Sequence, residues 1–224
     1  MVKRLVVLCC ILLLPTVAAA QGDRNYGDWW VGGQVGAMWT PEARTEISAP
    51  DFSSTFNYGT EPGVTAGAIV GYNFCMPYRP AWQRYFGVAL DFQWNQFRQD
   101  KLVGPEEEGK GNQFALAFLG RLQYPLMGSE RFTRGRIVPF LMFGPAVVWT
   151  NKDFSYVGSG NKTSTNVAVV AEVGVEFFII PHLSIGPSFR YRHVFGPSFD
   201  VQDTKIDEQG LNQFTLLGRL AYHF

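Results

Sequence analysis

Seven stretches of this chain alternate between apolar residues and small or polar ones with a period of two, each for roughly 11 to 13 residues, and an eighth of similar length is apolar throughout. In residues 29–39, Trp29, Val31, Gly33, Val35, Ala37 and Trp39 share one face against Gly32, Gln34 and Gly36. The pattern returns in residues 62–74, 85–95 and 112–124, where Phe114, Leu116, Phe118, Leu122 and Tyr124 oppose Gln113, Ala115, Ala117, Arg121 and Gln123. It returns again in residues 166–178, 183–195 and 212–224. Residues 136–150 are apolar in both registers and carry Pro139 and Pro145, so that segment reads as a strand without assigned faces. Strands of soluble sandwiches run nearer five or six residues. Segments of this length match a tilted strand crossing a bilayer. The expected fold is therefore all-β, an eight-stranded antiparallel up-and-down transmembrane barrel.

Aromatic residues near the segment ends fit interfacial girdles: Trp29 and Trp39, Phe86 and Trp94, Phe214 and Tyr222. A soluble lipocalin-like barrel with its apolar face inward would alternate equally well. Against it stands the opposite face, whose glycines and charges suit a narrow interior better than a solvent surface.

The N-terminus bears on compartment. Met1-Val2-Lys3-Arg4 is a cationic start, residues 5–14 are uninterrupted and apolar, and Ala18-Ala19-Ala20 precedes Gln21. Residues 1–20 are expected to be a cleaved signal peptide, leaving 21–224 as one barrel domain. The apolar run is about ten residues, short of the roughly 20 a spanning helix needs. Cys9 and Cys10 lie inside that run, which argues against lipidation. After cleavage only Cys75 remains, and one thiol builds no intramolecular disulfide framework.

The full chain carries 19 Lys and Arg against 19 Asp and Glu, and loss of Lys3 and Arg4 leaves it slightly negative. That balance argues against a nucleic-acid partner. No phosphate-binding glycine loop, zinc spacing or calcium loop occurs, so no cofactor and no metal is expected. His182, His193 and His223 are not spaced as a helical pair. Glu106-Glu107-Glu108 reads as a solvated loop run, and Asp200, Asp203, Asp207 and Glu208 lack calcium-loop spacing.

Even strand number puts both termini on one side, the periplasm in bacterial barrels. Residues 40–61, 96–111, 151–165 and 196–211 then become external loops of turn-forming composition. Residues 75–84, 125–135 and 179–182 become periplasmic connections. Alternation points Asp91, Arg121, Glu172, Glu176, Arg190, Arg192 and Arg219 inward, where unpaired charge is costly. Folding about Pro181 sets Glu172 opposite Arg190, whereas Glu176 has no expected partner directly opposite.

The ending Leu220-Ala221-Tyr222-His223-Phe224, the run Phe189-Arg190-Tyr191-Arg192-His193-Val194-Phe195 and Pro139-Phe140 resemble the OmpA-like and opacity-type small outer-membrane β-barrels. The resemblance spans the mature chain as a pattern of residue types, and no peptidoglycan-binding domain is expected behind the barrel. It implies a bacterial outer-membrane location, contact with outer-membrane lipids and recognition of Tyr222 and Phe224 by the barrel assembly machinery. It also implies an ion-pair network plugging the lumen. Function reads as non-catalytic, with four surface loops for envelope integrity or contact with surface ligands. A narrow solute pore and a lipid-modifying barrel enzyme are alternatives. For the enzyme, His193 and Ser198 are the one tempting pair.

Overall fold

The computed structural model describes residues 28–41, 43–49, 52–58, 60–74, 85–99, 109–129, 132, 135–153, 161–201, 204–208 and 210–224. Residues 1–20, Cys75, the connection 75–84 and Glu106-Glu107-Glu108 lie outside the described residues. The described strands are β1 (Asp28–Trp39), β2 (Ala43–Ala49), β3 (Phe52–Tyr58), β4 (Thr60–Glu61), β5 (Gly63–Asn73), β6 (Phe86–Gln99) and β7 (Gly109–Gln123). They continue with β8 (Ile137–Asp153), β9 (Asn161–Ile180), β10 (Leu183–Val194), β11 (Ser198–Val201), β12 (Thr204–Glu208) and β13 (Leu211–His223).

Eight of them, β1, β5, β6, β7, β8, β9, β10 and β13, pair antiparallel in chain order, and β1 pairs with β13 to close the barrel. Closure leaves the wall no unpaired edge, which is what lets a sheet sit in hydrocarbon. The apolar face points outward: Val35, Phe118, Phe143 and Leu216 are 65, 58, 61 and 55% exposed. A soluble barrel would bury those side chains, so the lipocalin-like alternative is overturned.

Rings mark both ends of this apolar band. Trp29, Tyr72 and Phe74 meet at one end together with Tyr222 and Phe224, while Trp39, Phe189, Tyr191 and Phe214 pack at the other. Trp29 and Trp39 are ten residues apart on β1, about 33 Å along a strand at about 3.3 Å per residue. A tilt of about 40° reduces this to a height of about 25 Å, the thickness of an outer-membrane apolar band.

β8, the segment without assigned faces, turns Val138, Phe140, Met142, Ala146 and Val148 inward. Its alternation is hidden because both faces are apolar. Pro145 faces outward, and the β7–β8 ladder lacks the Phe118 and Leu119 rungs beside it, since proline has no N–H to donate. The walls nevertheless stay close: a Cβ on Gly144 would stand 1.9 Å from the Phe118 carbonyl oxygen.

Asp28 and His223 lie at the same end, where β9 and β10 join through the two-residue turn Pro181-His182. At that end Met127, with φ of 54°, turns the chain after the Leu126–Ile137 bridge.

The opposite end departs from the expected loops. β6 and β7 extend to Gln99 and from Gly109, and β8 and β9 extend to Asp153 and from Asn161, so much of 96–111 and 151–165 is strand. Within 40–61 and 196–211, β11, β12, β2 and β3 form a separate four-stranded sheet. Its β2–β12 ladder prolongs the β1–β13 ladder without a register slip. Trp39 faces Phe214, and six residues on along one strand and six back along the other, Thr45 faces Glu208. Pro41 and Gly210, the latter at φ of +55°, sit at the interruption between the two ladders. The expectation of simple loops rested on turn-forming composition, and a pairing between segments so distant in sequence has no local signature.

Candidate functional site

Every charged residue expected inside is on the inner wall and at most 2% exposed: Asp91, Arg121, Glu172, Glu176, Arg190, Arg192 and Arg219. Strand pleat alone puts them there, because each occupies the inward parity of its strand.

At mid-height the groups form one chain across the lumen. Arg190 faces Glu172 on the β9–β10 rung; its Nε donates to Glu172 Oε2 at 2.9 Å and its Nη2 to the same oxygen at 2.5 Å. Nη2 also reaches Asp91 Oδ2 at 2.5 Å. β6, which carries Asp91, stands four places from β10 in the ring of eight, on the facing wall. Arg219 Nη2 donates to the other Glu172 oxygen at 2.6 Å and to Gln34 Oε1 at 3.2 Å. Gln34 Nε2 in turn donates to both Asp91 oxygens, at 3.0 and 2.9 Å. Asp91 and Arg219 are thus linked through Gln34.

Nearer the termini, Arg121 grips Glu176 with both Nη atoms, at 3.1 and 2.7 Å, a bidentate fork. The same guanidinium lies over the Trp30 and Phe140 rings at 4.9 and 4.8 Å. The expectation that Glu176 lacks a partner is therefore corrected. Its partner is two strands away across the lumen, where a cross-strand rule does not look.

Arg192 differs from the other three arginines. It donates to the side-chain oxygens of Gln113, at 2.9 Å, and Gln93, and no carboxylate contacts it among the described residues. Thr65, Asn95, Gln113 and Thr150 continue this uncharged polar layer. Above it Lys152, inward on β8, is ion-paired with Glu208 of β12, and its Nζ lies 5.2 Å from the Phe199 ring centre. Phe199 and Glu208 are 2 and 4% exposed, so the extra sheet bends across the mouth and meets the wall three places away from β13.

His193 and Ser198 are not brought together. His193 Nδ1 is hydrogen-bonded with Asn212 Oδ1 at 2.8 Å, Tyr191 shares that acceptor at 2.7 Å, and no His193–Ser198 hydrogen bond occurs among the described residues. The serine–histidine contact that does form joins Ser184 Oγ and His223 Nε2 at 2.9 Å, both 1% exposed beside Trp30 and Phe178. Alternation placed both inward, and only the register of β10 on β13 brings them into contact. The described residues contain no group of three or more metal-ligating side chains. Tyr222 points outward, stacked on His182 and edge-on to Phe224, and Phe224 N donates to the Trp29 carbonyl at 2.9 Å.

A search of curated protein sequences finds no match. Among solved structures, the outer membrane protein OprG from Pseudomonas aeruginosa is similar at a TM-score of 0.64 and 16% identity, covering 89% of this chain and 97% of that one. Neisserial surface protein A is similar at a TM-score of 0.52 and 12% identity, covering 88 and 97%. At such identities the likeness concerns the fold. The sequence itself matches the model of the outer membrane protein beta-barrel domain over residues 6–224, and the chain belongs to that family.

Proposed function

We propose that this outer-membrane barrel is a non-catalytic surface protein whose lumen is closed by its own charges and whose end opposite the termini presents the four-stranded sheet outside the cell. The carrying observation is the chain Asp91–Arg190–Glu172–Arg219, which joins facing walls at mid-height. An eight-stranded barrel is just wide enough for its side chains to fill, so such a chain leaves little room for a solute path. The sheet of β11, β12, β2 and β3 supplies an ordered surface for contact with ligands or for envelope integrity. Residues 1–20 act as the export signal, outer-membrane lipids surround the apolar band, and Tyr222 with Phe224 engages the assembly machinery.

Planar-bilayer recording of the refolded mature chain tests the closed lumen. No steady conductance is expected, and stable single-channel openings would refute closure. Mass spectrometry of the outer-membrane fraction should find Gln21 as the first residue; an uncleaved chain in the inner membrane would remove the export assignment.

A further inference from the structure

On the outer wall, Trp39, Phe214 and Tyr191 lie side by side across β1, β13 and β10, with ring centres 6.1 and 5.5 Å apart. The next outward positions toward the mouth are polar: Asn212 on β13 and His193 on β10, facing each other on one rung. Two residues along a strand is about 7 Å, and a tilt of about 40° makes that a rise of about 5 Å. The ring row marks the edge of the hydrocarbon, and the headgroup zone beyond it is about 5 to 7 Å deep in each leaflet. Asn212 and His193 therefore stand at headgroup level. Tyr191 Oη and His193 Nδ1 both donate to Asn212 Oδ1, at 2.7 and 2.8 Å. An amide oxygen only accepts, so this contact places a hydrogen on Nδ1 and uses none of the amide's own N–H groups. His193 Nε2 and Asn212 Nδ2 make no hydrogen bond among the described residues. The space against the Cε1–Nε2 edge of the imidazole is open because residue 210 is glycine: a Cβ there would stand 2.9 Å from Cε1 and 3.2 Å from Nε2.

We infer that His193 and Asn212 bind the phosphate of an outer-leaflet lipid headgroup, with Tyr191 as the brace that positions Asn212. An imidazolium donates from both nitrogens, so its Nε2–H and the Asn212 amide N–H can meet two oxygens of one phosphate. The acyl chains then run over the Trp39, Phe214 and Tyr191 row and onto Phe189 and Leu216, which are 40 and 55% exposed in the apolar band beneath. A free phosphate gains only the polar half of these contacts, so the site is one for a lipid. It lies outside the lumen and stands whether or not the lumen is closed.

Titration of dodecyl phosphate into the folded barrel in dodecyl maltoside, a phosphate-free detergent, tests the site at constant pH. The readout is the imidazole Cε1–H resonance of each histidine, assigned with His193→Gln. His193 should shift saturably. His182, on the outside at the opposite end and stacked on Tyr222, is the control for an anionic micelle surface. Half-saturation at His193 should come about tenfold below any response of His182, and Asn212→Ala should weaken it about tenfold, the loss expected when one charge-assisted hydrogen bond goes. Inorganic phosphate at the same concentration should leave His193 in place. Parallel shifts of His193 and His182, an equal response to inorganic phosphate, or undiminished binding by Asn212→Ala would each overturn the inference. Should Asn212→Ala fail to fold, as judged by loss of the mobility shift between unheated and boiled samples, the comparison of the two histidines in the native chain decides alone.

Discussion

Arg190 and Glu172 face each other across one rung of the β9–β10 ladder, yet the same Arg190 guanidinium also holds Asp91 on the opposite side of the barrel. A cross-strand pair ordinarily staples neighbours. Here it becomes a strut between walls, and Glu172 is its hub because Arg219 takes its second oxygen. Burying two charges is costly, and the geometry offsets that cost only while every partner is present.

Glu172→Gln should therefore destabilise the barrel by about 3 to 5 kcal/mol, since it strands parts of two buried guanidiniums. Urea unfolding in lipid vesicles measures this. A loss below about 1 kcal/mol is the behaviour of exposed pairs, and would mean that water already screens the lumen.

Glu176→Gln should cost a similar amount, about 3 kcal/mol or more. Arg121 would keep its place between Trp30 and Phe140 with its bidentate partner gone. Arg121→Met combined with Glu176→Gln should recover much of the loss, because replacing both charges leaves none stranded. A double variant as unstable as the sum of the two single ones would show that they act independently.

Much of this architecture was legible in the alternation of residues, because the pleat of a strand fixes which residues share a face. Residues 29–39 and 112–124 display it plainly, and the inward parity of all seven charged residues follows from the same rule. Residues 136–150 resisted it, since Val138, Phe140 and Met142 are buried inside while Leu141 and Phe143 face lipid. The partner of Glu176 was illegible for another reason: Arg121 is reached across the lumen, and a ladder rule describes only neighbours. The pairing of β2 with β12 joins segments at opposite ends of the chain, where turn-forming composition hides Ile47 and Ile206, which share a rung. Lys152 and Glu208 are 56 residues apart and meet only because that sheet bends over the mouth.

Arg192→Met should be nearly neutral for stability, within about 1 kcal/mol, although Arg192 is as buried as Arg190. Its removal strands no carboxylate. Gln93 Oε1 keeps its bond from Arg190 at 3.0 Å, and Gln113 keeps Thr150. Arg190→Met should instead cost about 3 to 5 kcal/mol. Equal losses for the two, measured in the same urea series, would contradict the division between the ion chain and the amide layer.

Gly71→Ala probes the packing near the termini. A Cβ there would lie 2.3 Å from Trp30 Cε2 and 2.5 Å from its Nε1. Trp30 is 0% exposed, with Arg121 and Arg219 against its ring, so it has little freedom to retreat. Overpacking of this kind costs about 1 to 3 kcal/mol. In a Trp30→Phe background the smaller ring should relieve most of that cost. An alanine equally harmful in both backgrounds would place the strain elsewhere.

The last prediction concerns the covering sheet, in which β2 is held between β3 and β12. A two-stranded hairpin alone is marginal in water, whereas additional strands and a buried face make it persist. β2 and β3 by themselves would be such a hairpin; β12 brings the added strand and the anchor Glu208, and β11 beside it brings Phe199. Replacing residues 198–208 by a short turn should then expose β2, and trypsin should cut after Arg44 about tenfold faster than in the intact chain. The barrel beneath does not depend on these strands, because its wall closes through β1 and β13. Its mobility on unheated gels should therefore stay that of a folded barrel. Cleavage at the native rate in the shortened chain would show that β2 and β3 stand without β12, and loss of the folded mobility would show that the sheet is part of the wall's own stability.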